Sequence, residues 1–153
     1  MFNSSFKVGD LEVGRKQRPI IIAEAGTAHF GSMEKMQSLV DLAVDAGADI
    51  LKTQAFCPDQ MISKTLPDWQ KRMKSRNVSF EFIRDTKDYC MKKGIPFLCT
   101  PHDETALEWL IELEIDAFKI GSGERGNFSF LKKIAERKKP VSYTHLTLPT
   151  IVR

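Results

Sequence analysis

Four short apolar runs in this chain each end in polar residues that could bind or transform a ligand. The runs are IIIAEAG at 20–26, ADILKTQ at 48–54, PFLCTPHD at 96–103 and AFKIGSGE at 117–124. Such runs are typical of parallel strands buried on both faces, and each is followed by a helical pattern. Ligands of parallel α/β folds bind beyond the carboxyl ends of the strands, so we expect the polar residues to converge on one rim. They are Glu24, Lys52, Gln54, Thr100, His102, Lys119, Ser122 and Glu124.

Two of these residues are lysines at the ends of apolar strands. An ammonium group is costly to bury there unless an anion or a carboxylate meets it, so Lys52 and Lys119 indicate a phosphate or carboxylate substrate. Ser122, between two glycines, adds a hydroxyl and backbone N–H groups suited to a phosphate-binding turn. Thr100 adds another hydroxyl donor. Together these groups predict an anion-binding site.

Two other interpretations of the lysines stay open. Lys52 could pair with Glu24, and Lys119 with Glu124, as structural ion pairs; for any single pair this explains the residues at least as well as catalysis does. The occurrence of such residues on four strands favours a functional site. A desolvated lysine could also form a Schiff base, as in class I aldolases.

Composition and spacing exclude several classes of protein. The 23 Lys and Arg residues against 20 Asp and Glu are scattered, which gives no tract for nucleic acid. No stretch has the length of a membrane span, and the first residues lack the apolar core of a signal peptide. Three cysteines without a C-x-x-C motif fit a reducing, cytoplasmic location. His29 and His102 lack metal-ligand spacing, so we expect hydrogen-bonded rim histidines and no metal site within this chain.

The order of the elements predicts an α/β fold of four βα units behind a small hairpin. Residues 6–13 alternate around Gly9-Asp10, which is typical of a hairpin. Residues 56–78 have no clear period beyond a possible turn of helix at 68–75 and are predicted to form an active-site loop. The predicted N-terminal residues of the helices are Ser32, Ser79, Asp103 and Asn127.

The end of the chain differs in character from the rest. At 153 residues the chain can bury one ordinary core but is too short for eight βα units. A fifth strand is predicted to begin at Pro140-Val141. The following SYTHLTLPTIVR has no capping signal and no helical pattern, so we predict that residues 142–153 are foreign to the fold, a sequencing or cloning artefact.

The segments IIIAEAGTAHFG, ADILKTQAF, GIPFLCTPHD and AFKIGSGE resemble, in this order and spacing, the N-terminal part of the sialic acid synthase family. This family includes N-acetylneuraminate, legionaminate and pseudaminate synthases. The combination of A-E-x-G, K-x-Q and K-I-x-S-G-E is more specific than any one of these motifs. The resemblance implies a (β/α)₈ TIM barrel, of which residues 1–141 would form the N-terminal half, about the first four βα units.

The resemblance also implies an activity. Phosphoenolpyruvate would condense with an N-acetylmannosamine-type sugar, an N-acetylated hexosamine, to give a nonulosonic (sialic) acid and phosphate, assisted by Mn²⁺ or Mg²⁺. The intact protein would be a cytoplasmic homodimer. The residues implied to bind substrate are Lys52, Gln54, Thr100, Lys119 and Ser122, and those implied to be catalytic are Glu24 and Glu124.

Two departures from the family pattern shape the expectation for this chain. Ala28-His29 stands where the family usually has Asn-His, and the Ser-Thr-Gly turn expected after Val141 is missing. The family's metal-binding histidines and its antifreeze-like domain would lie beyond this segment. We therefore expect the chain as given to have no turnover. The alternative is a non-catalytic remnant or an anion-binding half-barrel.

Overall fold

The computed structural model describes residues 5–143, which contain seven strands and six α-helices. The strands are β1 Ser5–Val8, β2 Leu11–Gly14, β3 Ile22–Gly26, β4 Ile50–Ala55, β5 Phe97–Pro101, β6 Phe118–Ile120 and β7 Val141–Tyr143. The helices are α1 Met33–Asp45, α2 Pro58–Met61, α3 Pro67–Lys74, α4 Phe80–Lys92, α5 Glu104–Glu112 and α6 Phe128–Ala135, with a 3₁₀ turn at Ser122–Gly126. After the first two strands, each strand up to β6 is followed by at least one helix, as the sequence predicts, and three helices follow β4.

The strands form an antiparallel hairpin and one parallel sheet. The hairpin joins β1 to β2, and Gly9 supplies the left-handed φ of 57° in its turn. The sheet has five strands in the sequential order β3-β4-β5-β6-β7, all parallel. The α/β class, the hairpin and the fifth strand are therefore confirmed.

The helix ends follow the capping residues in the sequence. The predicted N-caps each accept a hydrogen bond from a backbone N–H three residues on: Ser32, Ser79, Asp103 and Asn127. The segment 56–78 is only partly a loop, because it contains α2 and α3, each with proline at its start. α2 has four residues, too few for a helical period to be visible in the sequence. Within residues 5–143, no helix combines the length and apolar character needed to cross a membrane.

The two faces of the parallel sheet have different coverings. One face packs on α1, α4, α5 and α6 through a single apolar cluster that includes Leu51, Cys99 and Phe118. On the opposite face, which we call the open face, the hairpin residue Val8 packs with Ile50, Leu98 and Ala117. Because successive residues of a strand point to opposite faces, the hairpin covers the N-terminal half of the open face. The C-terminal half is left to the polar residues.

The last strand extends past the predicted end of the native fold. Ser142 and Tyr143 belong to β7 and lie opposite Lys119 and Ile120 of β6. The remainder of the predicted foreign tail, residues 144–153, lies outside the described residues. Its assignment as an artefact stays a prediction.

Asp49 anchors the chain where it enters β4. Its carboxylate accepts the backbone N–H of Ile21 at 2.8 Å and a hydrogen bond from Arg18 Nη1 at 2.8 Å, and it also pairs with Arg18 Nη2. The Arg18 hydrogen bond and then the Ile21 N–H lower the pKa of Asp49 from 3.8 to about 2. The folded state therefore favours the ionised carboxylate of Asp49 more strongly than the unfolded state does.

We predict that Asp49 stabilises the fold in a pH-dependent way. Because its pKa is lower in the folded state, its contribution is complete above about pH 4 and is lost as the pH falls towards 2. The free energy of unfolding of the wild type should exceed that of Asp49→Asn at pH 6, and the difference should shrink between pH 4 and 2. Urea unfolding at each pH measures this. A difference independent of pH would contradict it.

Candidate active site

The C-terminal half of the open face collects the polar residues of four strands. Thr53, Cys99 and Phe118 are fully or almost fully buried on the helix side. Their neighbours Lys52, Gln54, Thr100 and Lys119 must therefore point the other way. Glu24 lies opposite Lys52 in the β3–β4 register, and Gln54 lies opposite Thr100 in the β4–β5 register. The predicted convergence is present for these five residues.

Lys52 and Glu24 form an ion pair on this face. Lys52 Nζ lies 2.7 Å from Glu24 Oε2, and the lysine side chain is only 9% exposed whereas the glutamate side chain is 52% exposed. The structural pairing considered for these residues is therefore confirmed. The pair still leaves the outer side of Glu24 open to solvent, so it does not exclude a ligand.

Lys119 brings a second positive charge to the same place. Its Nζ donates to the carbonyl oxygen of Ile120 at 2.8 Å. Burial and then the charge of Lys52 lower the pKa of Lys119, and Glu24 only partly opposes this effect. Lys52 and Lys119 thus both bring positive charge to the open face, which favours an anion there.

Thr100 adds a hydroxyl group without a partner. The residue is only 2% exposed, and its buried Oγ1 makes no hydrogen bond within residues 5–143. Leaving a buried polar group without a hydrogen bond costs about 1–3 kcal/mol, and such groups are rare in native proteins. The hydrogen-bonding capacity of this hydroxyl is therefore unused within residues 5–143.

Both histidines make a hydrogen bond, as predicted, but only His102 lies at the rim; the rim position predicted for His29 is wrong, because His29 is buried. His102 Nε2 lies 3.2 Å from Gln54 Oε1, and burial, followed by the charge of Lys52, lowers the pKa of His102. His29 is fully buried, and its Nδ1 accepts the N–H of Gly31 at 3.0 Å. His102 therefore belongs to the site, whereas His29 belongs to the core beneath the β3–α1 loop.

Ser122 and Glu124 lie at the same end of the sheet, in the 3₁₀ turn after β6. Ser122 is exposed, and Glu124 Oε2 accepts a hydrogen bond from Asn127 Nδ2 at 3.0 Å. The ion pairs of residues 5–143 include none between Lys119 and Glu124. The predicted roles of Ser122 and Glu124 rest on this position after β6.

Two supporting residues were not singled out for the site by the sequence. Asp103 caps α5 through Ala106 N at 2.8 Å and also accepts the backbone N–H of Cys57, which ties the end of β4 to the end of β5. Thr53 Oγ1 donates to the carbonyl oxygen of Gly26 at 2.8 Å and holds the end of β3. Only the capping role of Asp103 had a sequence signal, since the other contacts join distant residues.

The described residues do not form a metal site on their own. No group of three or more His, Cys, Asp or Glu side chains between residues 5 and 143 is arranged to hold an ion.

The fold and site define the class: an α/β protein of sequential parallel βα units with a cationic site at the carboxyl ends of its strands. The chain belongs to the NeuB family, whose model matches residues 39–145. The resemblance seen in the sequence is therefore confirmed.

Individual relatives agree with this assignment. The chain is 34% identical over 138 residues to N,N'-diacetyllegionaminic acid synthase of Campylobacter jejuni, covering 82% of this chain and 41% of that protein. It is 33% identical over 152 residues to the spore coat polysaccharide biosynthesis protein SpsE of Bacillus subtilis, covering 92% and 40%. The crystal structure of N-acetylneuraminic acid synthetase from Leptospira borgpetersenii superposes with a TM-score of 0.89 at 26% identity, covering 95% of this chain and 51% of that one. The chain thus spans about two fifths of the length of these curated relatives.

We predict that the Glu24 carboxylate stabilises the folded protein by pairing with Lys52. Glu24→Gln removes the carboxylate from an almost buried ammonium group and is expected to lower the free energy of unfolding by about 1–3 kcal/mol. The exposed Glu108→Gln on α5 is the matched control, with an expected change within about 0.5 kcal/mol. Urea unfolding at pH 7 measures both. Equal losses in the two variants would contradict the prediction.

Proposed function

We propose that the protein to which this chain belongs condenses phosphoenolpyruvate with an N-acetylmannosamine-type sugar to form a nonulosonic acid and phosphate. The observation that carries the proposal is the pair of lysines on the open face, Lys52 and Lys119, beside the unsatisfied hydroxyl of Thr100. Phosphoenolpyruvate carries a phosphate and a carboxylate, so it matches two cations and a neutral donor. The names of the NeuB relatives support the synthase class.

The proposed residue roles follow from the geometry. Lys52 and Lys119 bind the phosphate and carboxylate groups, and Thr100 donates its hydroxyl to one of their oxygens. In the reaction, C3 of phosphoenolpyruvate attacks the sugar aldehyde, water adds at C2, and the C2–O bond to phosphate breaks. The lysines neutralise the departing phosphate. Their fixed positions mean that little reorganisation is needed as charge develops.

Three further residues are proposed to act on the sugar side. Glu24, half exposed beside Lys52, lies where it can orient the reacting water or the aldehyde. Gln54 lines the same rim, and Glu124 lies in the turn after β6, whereas Ser122 in that turn is proposed to bind phosphoenolpyruvate. A divalent cation, Mn²⁺ or Mg²⁺, is expected from the family resemblance. Residues 5–143 do not fit one, so its ligands would have to come from elsewhere in the protein.

We propose that the five-stranded sheet is part of a (β/α)₈ barrel. Its strands are parallel and sequential, and the helices cover one face only. Within residues 5–143, β3 and β7 each pair on one side, which leaves both edges available to further strands. The complete protein is expected to be a homodimer. A cytoplasmic location is supported by Cys57, Cys90 and Cys99, which are free thiols.

The first prediction concerns binding. Replacement of Lys52 or Lys119 by Met is expected to weaken phosphoenolpyruvate binding about 10- to 100-fold, because each loses a charge-assisted contact. The exposed Lys92→Met on α4 is the charge-matched control and should bind as the wild type does. Isothermal titration at pH 7.5 measures the dissociation constants. Equal binding by all three variants would contradict the proposed site.

The second prediction concerns turnover by this chain. Because residues 5–143 lack a metal site, the chain 1–153 is expected to bind phosphoenolpyruvate without releasing phosphate when N-acetylmannosamine and Mn²⁺ are added. This outcome corresponds to the anion-binding half-barrel considered as the alternative from the sequence. Phosphate release above the rate of a Lys119→Met control would overturn it.

One observation favours a second chemistry, a Schiff-base aldolase. Burial lowers the pKa of Lys119, which increases the neutral amine that attacks a carbonyl. Incubation with pyruvate and borohydride would then trap an adduct on Lys119. We expect no adduct, since Lys119 is proposed to act as a cation. An adduct that is absent from Lys119→Arg would favour the aldolase.

A further inference from the structure

His102 and Gln54 form a side-chain contact that the anion site does not use. His102 follows β5 directly, and its backbone N–H continues the ladder by donating to the carbonyl oxygen of Ala55 at 3.0 Å. Its Nε2 lies 3.2 Å from Gln54 Oε1. With the amide oxygen facing the imidazole, His102 Nε2 is the donor, because an amide oxygen only accepts hydrogen bonds. A deprotonated Nε2 would instead require the Gln54 amide to turn around.

The imidazole is packed so that it keeps this direction. Phe56 contacts the ring edge-on at a centroid distance of 6.4 Å. On another side, a Cβ placed on Gly121 would lie 3.5 Å from His102 Cε1, so the backbone of Gly121 lies close against the ring. With its main chain tied to Ala55 and its ring held between β4 and β6, His102 presents Nε2 to Gln54.

The other end of the Gln54 amide points towards β3. A Cβ placed on Gly26 would lie 3.8 Å from Gln54 Nε2 and 3.2 Å from Glu24 Oε1. Both polar atoms therefore face the space above Gly26, which has a left-handed φ of 52°. The NH₂ group of Gln54 is directed at the part of the rim beside Glu24, away from His102.

We propose that His102 is a positioning residue that fixes the Gln54 amide with its NH₂ group towards the rim between β3 and β4, so that Gln54 acts as a donor to an uncharged oxygen of the substrate. A hydroxyl or aldehyde oxygen of the sugar has this chemistry. The substrate part rests on the proposed function; the orientation of the amide does not.

The surrounding charges suit a neutral donor. Lys52 and Lys119 act on His102 from β4 and β6, with Asp103 and Glu24 acting in the opposite sense, and burial disfavours the imidazolium. A neutral imidazole with its proton on Nε2 donates to Gln54 without adding a third positive charge to the site. The rim would then offer Lys52 and Lys119 to the anionic substrate and the neutral donor of Gln54, beside Glu24, to the second substrate.

The orientation is tested by NMR on the full chain without ligand. We expect the ¹⁵N shifts of His102 at pH 7.5 to identify the tautomer protonated on Nε2, and a nuclear Overhauser effect between the Gln54 side-chain NH₂ and Gly26 Hα. His102→Phe keeps the ring volume but removes the donor, so this effect should disappear. His102→Gln, whose amide nitrogen can replace Nε2, should retain it. Protonation on Nδ1, or an unchanged effect in His102→Phe, would overturn the inference.

The role in binding is tested by a double-mutant cycle. With phosphoenolpyruvate saturating, His102→Phe and Gln54→Ala are each expected to weaken N-acetylmannosamine binding about tenfold, and the double variant no further. Additive losses, or no sugar binding by the wild type, would overturn the donor role. Loss of phosphoenolpyruvate binding by the wild type, with the ligand-free NMR result intact, would count against the proposed function alone.

Discussion

The site depends on two ammonium groups, Lys52 on β4 and Lys119 on β6, that lie at the carboxyl ends of parallel strands, with the carboxylate of Glu24 on β3 paired to Lys52. Lys52 is almost buried and paired with Glu24, and burial together with Lys52 lowers the pKa of Lys119. Both ammonium groups would be stabilised by an anion that binds beside them. The positive charge of these groups favours anion binding, and the hydroxyl of Thr100 has no hydrogen-bond partner within residues 5–143.

The rest of the fold keeps these charges in place. The helix face carries the apolar cluster, and the hairpin fills the N-terminal half of the open face around Val8. Polar residues are then confined to the strand ends, where ligands bind in parallel α/β folds. Hydrogen bonds from Thr53 to Gly26 and from Cys57 to Asp103 connect the ends of neighbouring strands. The two lysines therefore lie on strands that are held by their neighbours. That bracing is what preorganises the site.

Much of this arrangement could be predicted from the sequence because it is local. Apolar runs identified the strands of the sheet, capping residues such as Ser32 and Asp103 marked helix starts, and their position at strand ends placed Lys52 and Lys119 on one rim. What could not be predicted depends on contacts between distant residues. The Cys57–Asp103 hydrogen bond and the direction of the Gln54 amide have no signature in spacing, because they arise only when separate strands are brought together.

The central claim is that the charged form of Lys119 is disfavoured in the ligand-free protein and is favoured once an anion binds. Titration of the Lys119 side chain tests this claim most directly. The pKa of Lys119 can be followed through the ¹³Cε shift of the side chain, with and without saturating phosphoenolpyruvate. The account predicts a pKa below the ordinary 10.5 in the free chain and a rise when the ligand binds. An ordinary pKa in the free chain, or a value that phosphoenolpyruvate leaves unchanged, would contradict it.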